Sequence, residues 1–423
     1  MTQRYDTYKN SGVQWLGEIP GHWEKKRLAA LFTGDVDSNK DFRFKHAFKF
    51  NYGSLVLKDE IGDPEEYRDI YVKYSIVNKG DILINGLNLN YDFISQRVAC
   101  APSDGIITSA YVVCRPRTSV NYDYYTYLFK SMDCMKLFHG MGTGIRLTLS
   151  FKELKRQLLP LPPLSEQHSI VSYLDDKCGK IDEWVTKKQK EVEHLQELKQ
   201  RVIADAVTRG LNPHVKMKAT NIPWLKEIPE HWENKRLAAM FTDDIETNKD
   251  FQYKHAFKFN YGCLVPKNEI GDPEEYRDVY VKYSILNTGD ILINGLNLNY
   301  DFISQRVACA PSEGIITSAY VVCRPRPNVN YDYYTYLFKA MDSMKLFHGM
   351  GTGIRLTLSF KELKKQILPV PPIEEQRAIV MFINDKCSKI DKLIANITKE
   401  IECIKEYKQR LISDVVTGQI KVC

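Results

Sequence analysis

The feature that most limits what this chain can become is that it is written twice. A shift of about 209 residues lays nearly the whole sequence on itself without a gap: Trp15 falls on Trp224, Arg27 on Arg236, Gly144 on Gly353 and Asp176 on Asp385. Between residues 27 and 158 and their partners, about 20 of about 132 positions differ, most by mild exchanges such as Val36 for Ile245 or Phe44 for Tyr253. Segments so alike must share one fold. A solenoid stacks many short units, whereas two long copies point to a pseudo-twofold molecule, an internal counterpart of a symmetric dimer. At 423 residues the chain has room for it, since roughly 100–200 residues make one domain.

Each copy changes texture once. Residues 15 to 158, repeated over 224 to 367, carry Tyr, Phe, Val and Ile in short runs broken by Gly, Asn, Asp and Pro, the pattern of a mixed, strand-rich domain. The prolines of Leu159 to Leu164, repeated at Leu368 to Ile373, force extended backbone, and Ser165 then offers an N-cap to a helix. From Ser165 to about Val207, and from Glu374 to about Val416, Pro is absent and Gly almost so. Ile383, Ile390, Ile397, Ile404 and Leu411 recur every seven residues, with Cys387, Ile394, Ile401 and Val415 four further on. Leu174, Ile181, Leu195 and Val202 do the same in the first copy, interrupted by Lys188.

Such a seam needs a partner helix, and the other copy supplies one. Chain order predicts an antiparallel pair of about 40 residues each, on the order of 60 Å long, with a globular domain near each end and the C-terminal tail beside the N-terminus. The expected fold class is α+β: two pseudo-twofold-related mixed α/β domains separated by two long antiparallel coiled-coil helices. The expected boundaries are 1–160 for the first domain, 161–210 for the first helix, 211–369 for the second domain and 370–423 for the second helix.

Composition narrows the function classes. With 43% hydrophobic and 26% charged residues the chain is neither disordered nor fibrous, and a net charge of +6 means that any basic patch is local. No apolar run approaches the roughly 18–20 residues that span a bilayer, and Met1 to Asn10 lacks the apolar core of a signal peptide, so a cytoplasmic protein is expected. The ten cysteines form no CxxC pair and no zinc spacing, which predicts reduced thiols. There is no GxxxxGK[ST] phosphate loop, no HExxH and no GxSxG elbow. Asp63 to Asp69, repeated at Asp272 to Asp278, reads as a solvated first helical turn rather than a metal-dependent nuclease centre. No catalytic residue and no metal ligand is expected.

Three segments instead suit contact with DNA. Strict alternation from Asp41 to Tyr52 predicts a strand with Phe42, Phe44, His46, Phe48, Phe50 and Tyr52 on one face and Arg43, Lys45, Ala47, Lys49 and Asn51 on the other. The second face is a short basic ladder suited to phosphates, repeated as Lys254, Lys258 and Asn260 with Gln252 in place of Arg43; the alternative is a solvated strand face. His46 is expected at the core edge. In Asn85-Gly86-Leu87-Asn88-Leu89-Asn90-Tyr91, Asn-Gly signals a type I′ hairpin, which leaves Asn88 and Asn90 (Asn297 and Asn299 in the repeat) as carboxamides able to pair with adenine. Arg97, Arg115 and Arg117 add charge nearby, Arg306 being the repeat of Arg97. The glycine cluster Gly140 to Arg146 lacks dinucleotide-loop spacing, but as a tight turn it would bring Thr143 and Arg146, and Thr352 and Arg355, to a phosphate or base edge.

These residues are also where the chain is similar to a known family. Trp15-Leu16-Gly17-Glu18-Ile19-Pro20-Gly21-His22-Trp23, the domain end Gly142-Thr143-Gly144-Ile145-Arg146, the helix entry Leu161 to Gln167 and the ending Leu411 to Gly418 resemble the specificity subunit of type I restriction-modification systems. The resemblance implies two target recognition domains alternating with two long helices, and no catalytic residues in the subunit. It also implies double-stranded DNA, two methyltransferase subunits and restriction/translocase subunits as partners, with no membrane. S-adenosylmethionine, ATP and Mg would be cofactors of those partners alone, where base flipping and methyl transfer would occur. Family members commonly carry two dissimilar recognition domains; two domains about 85% alike predict an inverted-repeat target around a nonspecific spacer. A stand-alone bipartite DNA-binding regulator and a non-catalytic coiled-coil scaffold are the rival readings, separable by co-purification with a methyltransferase.

Overall fold

The computed structural model describes residues 3–58, 63–91, 96–117, 120–145, 147–267, 272–300, 305–354 and 356–422. The chain forms two compact units, and neither follows the sequence boundaries of the copies. The first comprises Met1–Lys188 with Lys399–Cys423, the second Gln189–Thr398. Each unit therefore contains one mixed domain, part of one long helix and the complementary part of the other.

In the first unit an antiparallel four-stranded sheet runs in the order Phe32–Thr33, Val112–Pro116, Ile82–Ile84, Val98–Cys100. All three residues of Ile82–Ile84 are buried, so the central strand reads as an unbroken apolar run rather than an alternation. Ile82 and Ile84 face the main core with the helix Tyr122–Cys134, while Leu83 faces a smaller core with Phe48, Val77 and Val113. That helix is capped by the Asn121 side chain, which accepts from the amides of Asp123 and Tyr124. Strand Leu158–Leu161 pairs antiparallel with Glu24–Arg27, so the proline-rich end of the domain closes on its beginning. The second unit repeats the design, with a sheet ordered Phe241–Thr242, Val321–Pro325, Ile291–Ile293, Val307–Cys309 and the helix Tyr331–Ser343.

The long helices span Leu164–Arg209 and Ile373–Val416. The first begins at Leu164, so Ser165 lies inside it and is not the N-cap. Its entry is fixed instead by Gln167, which is fully buried: its amide donates to the Pro162 carbonyl (2.8 Å) and its side-chain oxygen accepts from the Asn121 amide (2.9 Å). Beside it the Glu166 carboxylate accepts from Trp23 Nε1 (2.8 Å), Tyr5 Oη (3.1 Å) and His22 Nε2. The motifs that open the domain and open the helix are thus two sides of one joint. Glu375 accepts from Trp232 (3.0 Å) and His231 (2.7 Å) in the second unit.

Within each unit the helices run antiparallel. In the first, Ile170 and Leu174 share the domain core with Leu411, Val415 and Val416, and Lys408 donates to Asp182 (2.7 Å). In the second, Ala206 and Val207 share a core with Ile379, Ile383 and Cys387, and Lys199 donates to Asp391 (2.7 Å). Helix ends are tied to the domains by buried tyrosines: Tyr124 Oη donates to the Val416 carbonyl and Tyr333 Oη to the Val207 carbonyl, both at 2.8 Å. These carbonyls have no partner within their own helix, so an outside donor is needed there. The tail finishes on the first domain, with the Lys421 amide donating to the Gln3 carbonyl (2.8 Å) and Tyr8 Oη to the Gly418 carbonyl (2.9 Å). Among the described residues no helix is long and apolar enough to cross a membrane.

Candidate nucleic-acid interface

The segment Asp41–Tyr52 is not one continuous strand. Only Phe48–Asn51 is, paired with Ser54–Leu57. Upstream the backbone turns through Phe42 at φ +52° and wraps around the buried Asn39, whose amide donates to the carbonyls of Phe44 (2.8 Å) and Tyr71 (3.3 Å) while its oxygen accepts from the Phe44 amide (3.0 Å). The alternation breaks where this loop meets the strand: Ala47 is buried against Ile106, and His46 is exposed rather than set at the core edge. Tyr52 sits exposed in the hairpin turn at φ +42°, off the aromatic face.

The basic ladder is consequently split. Lys45 pairs with Glu65 (2.7 Å), which Arg68 also reaches (3.2 Å), and these cations hold the Glu65 carboxyl below its usual pKa. Arg43 lies over the Phe44 ring. In the second unit Lys254 pairs with Glu274 (2.6 Å) in the same way. Lys49 and Asn51 stay on the hairpin and are exposed; of their repeats, Asn260 is exposed and Lys258 half-buried. Asp63 caps a short 3-10 turn through the Glu65 amide, as expected of a solvated helical start, and no cluster of His, Cys, Asp or Glu among the described residues could hold a metal ion.

Asn85-Gly86 does not form a hairpin either. Strand Ile82–Ile84 leads into a longer connection, and Gly86 lacks the positive φ that a type I′ turn requires. The glycine answers a different need: a Cβ there would lie 2.6 Å from the Leu149 carbonyl oxygen, and the Leu149 amide donates to the Gly86 carbonyl (2.9 Å). The loop is held from beneath by Arg97, which is buried. Its Nη1 donates to the carbonyls of Asn85 (2.8 Å) and Leu87 (2.7 Å) and its Nη2 to that of Asn88 (3.3 Å). The Arg97 amide in turn donates to buried Asp133 (2.7 Å). Arg97 and Arg306, expected to touch DNA, are buried and donate to backbone carbonyls of this loop instead. Arg306 binds the carbonyls of Asn294, Leu296 and Asn297 identically. Arg115 is likewise internal, forming a two-pronged pair with buried Asp81.

What Arg97 supports is an outward-facing pair of carboxamides. Asn88 and Asn90 are exposed on either side of buried Leu89, as are Asn297 and Asn299 around Leu298. Asn88 and Asn297 adopt φ near +50°, a conformation asparagine tolerates better than most side chains, which accounts for one asparagine of each pair on local grounds. The other, Asn90 or Asn299, has no such local requirement.

The third segment packs against this loop. Thr143 and Thr148 exchange backbone hydrogen bonds (3.0 and 2.9 Å), with Gly144 at φ +78° and Leu147 at φ +42° making a tight tip. The Leu89 amide donates to the Leu147 carbonyl (3.2 Å), which joins the tip to the asparagine loop. Thr143 and Ile145 are exposed; Arg146 and Arg355 lie outside the described residues. Thr352 to Thr357 forms the same tip in the second unit.

One face therefore collects the hairpin turn, the asparagine loop and the glycine tip. Gly53 of the turn lies against Gln96, next in sequence to Arg97, with 3.6 Å left for a Cβ. In the second unit the turn Tyr261–Gly262 and Gln305 line an open cleft of about 540 Å³ with Gln196, Lys199 and Gln200 of the first long helix. Lys339 also lines it, its pKa lowered by burial. Contacts thus join the hairpin turn to Gln96 and the asparagine loop to the glycine tip, whereas Arg43 and Lys45 belong to the separate loop around Asn39. Tyr52 and Ile145, to which sequence reasoning assigned no DNA-facing role, are also exposed on these loops.

The family described as the type I restriction modification DNA specificity domain matches the chain twice, over residues 20–194 and 229–403, and the chain belongs to that family. The MjaVIII specificity subunit of a type I restriction enzyme from Methanocaldococcus jannaschii is 27% identical over 392 residues, covering 86% of this chain and 84% of that protein. A putative MjaX specificity subunit from the same organism is 23% identical and covers 96% of both. Among solved structures, a chain from work on assembly and conformational transition of the type I R-M system covers 94% of this one and 98% of itself, with a TM-score of 0.66 at 14% identity. The HsdS subunit of Thermoanaerobacter tengcongensis covers 95% of this chain with a TM-score of 0.50 at 16% identity. At these identities the structural likeness speaks for the fold. Specificity subunits of type I systems are non-catalytic, catalysis lying in the methyltransferase and restriction subunits.

Proposed function

We propose that the chain reads a bipartite DNA target whose two halves are the same sequence in inverted order, and positions two methyltransferase subunits and the restriction subunits on it. The observation that carries this reading is the identity of the two reading faces. Asn51 to Gly53, Asn85 to Tyr91, Gln96, Arg97 and Gly142 to Thr148 recur without change at Asn260 to Gly262, Asn294 to Tyr300, Gln305, Arg306 and Gly351 to Thr357. The exchange adjoining them in sequence is Ser54 for Cys263; Ser131 for Ala340 and Cys134 for Ser343 fall on the helix that lines the same cleft as Gln305, and Arg43 for Gln252 falls on the loop around Asn39. Like faces read like bases.

Inversion rather than direct repetition is supported by the helix contacts. The aspartate of the 2.7 Å ion pair comes from the first helix in one unit (Asp182) and from the second in the other (Asp391), the exchange of roles that a twofold repeat produces. S-adenosylmethionine, ATP and Mg would serve the partner subunits, and the cytoplasm is the compartment this reading implies. Methylome sequencing of a strain carrying this chain with its methyltransferase tests the reading. One motif and its reverse complement around a fixed spacer is the expected result, and two unrelated half-sites would overturn it.

A further inference from the structure

Ile145 and Ile354 are each 98% exposed, the most exposed large apolar side chains among the described residues. Each stands at the apex of a narrow tip closed by paired threonine amides and carbonyls, with a left-handed glycine before it, and a Cβ on Gly144 or Gly353 would meet nothing within 4 Å. The apex thus projects clear of the domain. Exposed apolar residues that dock proteins occur in contiguous patches of a few hundred Å². The adjoining loop carries exposed Asn88 and Asn90, and Thr143 stands on the tip itself; the other exposed large apolar side chains of these loops, Tyr52, Tyr261 and Leu296, belong to the hairpin turns and the asparagine loop, so the isoleucine is the apolar side chain of the apex. An aliphatic side chain on an apex whose base is closed by paired threonines suits insertion at a base step, the way apolar wedges unstack duplex DNA.

We propose that Ile145 and Ile354 are wedge residues, each entering the duplex at its own half-site and unstacking one base step beside the bases met by Asn88 and Asn90 or Asn297 and Asn299. This rests on the DNA-reading function proposed above. Opening a step locally would also lower what a partner subunit must supply to swing a base out of the stack. Burying an isoleucine side chain that is otherwise fully hydrated is worth about tenfold or somewhat more in affinity, so truncating both should weaken binding roughly hundredfold.

The test uses the complex of this chain with its methyltransferase subunit and a duplex carrying the motif found by methylation mapping, with 2-aminopurine placed in turn across each half-site. Wild-type complex should raise 2-aminopurine fluorescence at one step per half-site before any methyl donor is added. Ile145→Ala with Ile354→Ala should abolish that rise, weaken binding about a hundredfold and leave the salt dependence unchanged, while Ile→Leu at both positions restores most of the signal. The side chains touch nothing in the free chain, so melting of the free double variant should match wild type. Tight specific binding by wild type with no fluorescence rise, or equal affinity of the double alanine variant, would overturn the wedge alone. A double variant that binds DNA normally but no longer co-purifies with the methyltransferase would assign the tips to the protein partner. Failure of wild-type complex to bind any mapped motif would overturn the DNA-reading function itself.

Discussion

Replacing Arg97 and Arg306 by alanine separates a residue that touches DNA from one that shapes the surface that does. The Arg97 guanidinium donates to three carbonyls, two at 2.7–2.8 Å and one at 3.3 Å, and every one belongs to the loop that presents Asn88. A hydrogen bond from a charged donor contributes about 1.5–3 kcal/mol net, so two good bonds and one long one could reach roughly 5 kcal/mol if nothing replaced them. The loop lies at the surface, where water can take over part of the bonding, so about 2–4 kcal/mol is the expected cost. The loop also holds Leu89 in the main core, so part of this cost should appear as lower stability of the first unit. On binding, the loosened loop must be ordered again, and 2–4 kcal/mol corresponds to a loss of about 30- to 1,000-fold in affinity for an altered half-site.

The assay is a titration of specific duplex with the assembled complex at several salt concentrations. A phosphate-contacting arginine changes the slope of log K against log salt by about 0.9 when removed. If Arg97 acts through the loop, affinity falls while the slope stays within about 0.3 of wild type, and Arg97→Lys, which retains some of the donors, recovers part of the loss. A slope reduced by about one for each arginine removed, with only a modest fall in affinity, would refute the positioning role. It would mean that the guanidinium leaves the carbonyls to meet a phosphate.

Tyr124→Phe leaves the Val416 carbonyl without its buried donor and should destabilise the first unit by about 1–3 kcal/mol, read by thermal melting; Tyr333→Phe should do the same to the second unit. Thiol labelling under native conditions should modify exposed Cys134, Cys263 and Cys403 and spare Cys114 and Cys323, whose thiols burial holds far above their usual pKa; rapid labelling of Cys114 would show that its sheet opens. Burial, with Asp175 nearby, raises the Asp123 carboxyl above its usual range. The folded state therefore binds that proton more tightly than the unfolded state, and this group favours folding more as pH falls through its raised pKa. Asp123→Asn should accordingly raise the melting temperature near pH 7, with the gain shrinking as pH falls through that raised value; a gain that is constant with pH would contradict the assignment.

The duplication and the heptads made the two-domain, two-helix architecture legible, because a repeat of about 209 residues and a seven-residue apolar period each admit few structures. Chain order also placed the C-terminal tail beside the N-terminus, as the Lys421–Gln3 and Tyr8–Gly418 bonds have it. What it did not show is which contacts make that tail part of the first core, since these are long-range, such as Tyr124 with Val416. The site was read in part. Asn88, Asn90 and Thr143, chosen by residue type, lie exposed at the surface, but alternation misplaced the Asp41–Tyr52 ladder because the left-handed turn at Phe42 and the buried Asn39 override a period of two. The backbone bonds of Arg97 were out of reach for a general reason: a sequence shows that a charge exists, but not which backbone carbonyls surround it.

The discontinuous make-up of the first unit has a temporal consequence. Gln189–Thr398 is a single stretch, so that unit holds all its parts once the ribosome has released residue 398. The first unit begins emerging earlier, yet Leu411, Val415 and the carbonyl that Tyr124 binds are synthesised only after every part of the second unit. Its domain is left waiting with an uncovered apolar seam while the later one already holds all its parts. A protein clipped of its final two dozen residues should accordingly lose the domain made first and keep the one made second.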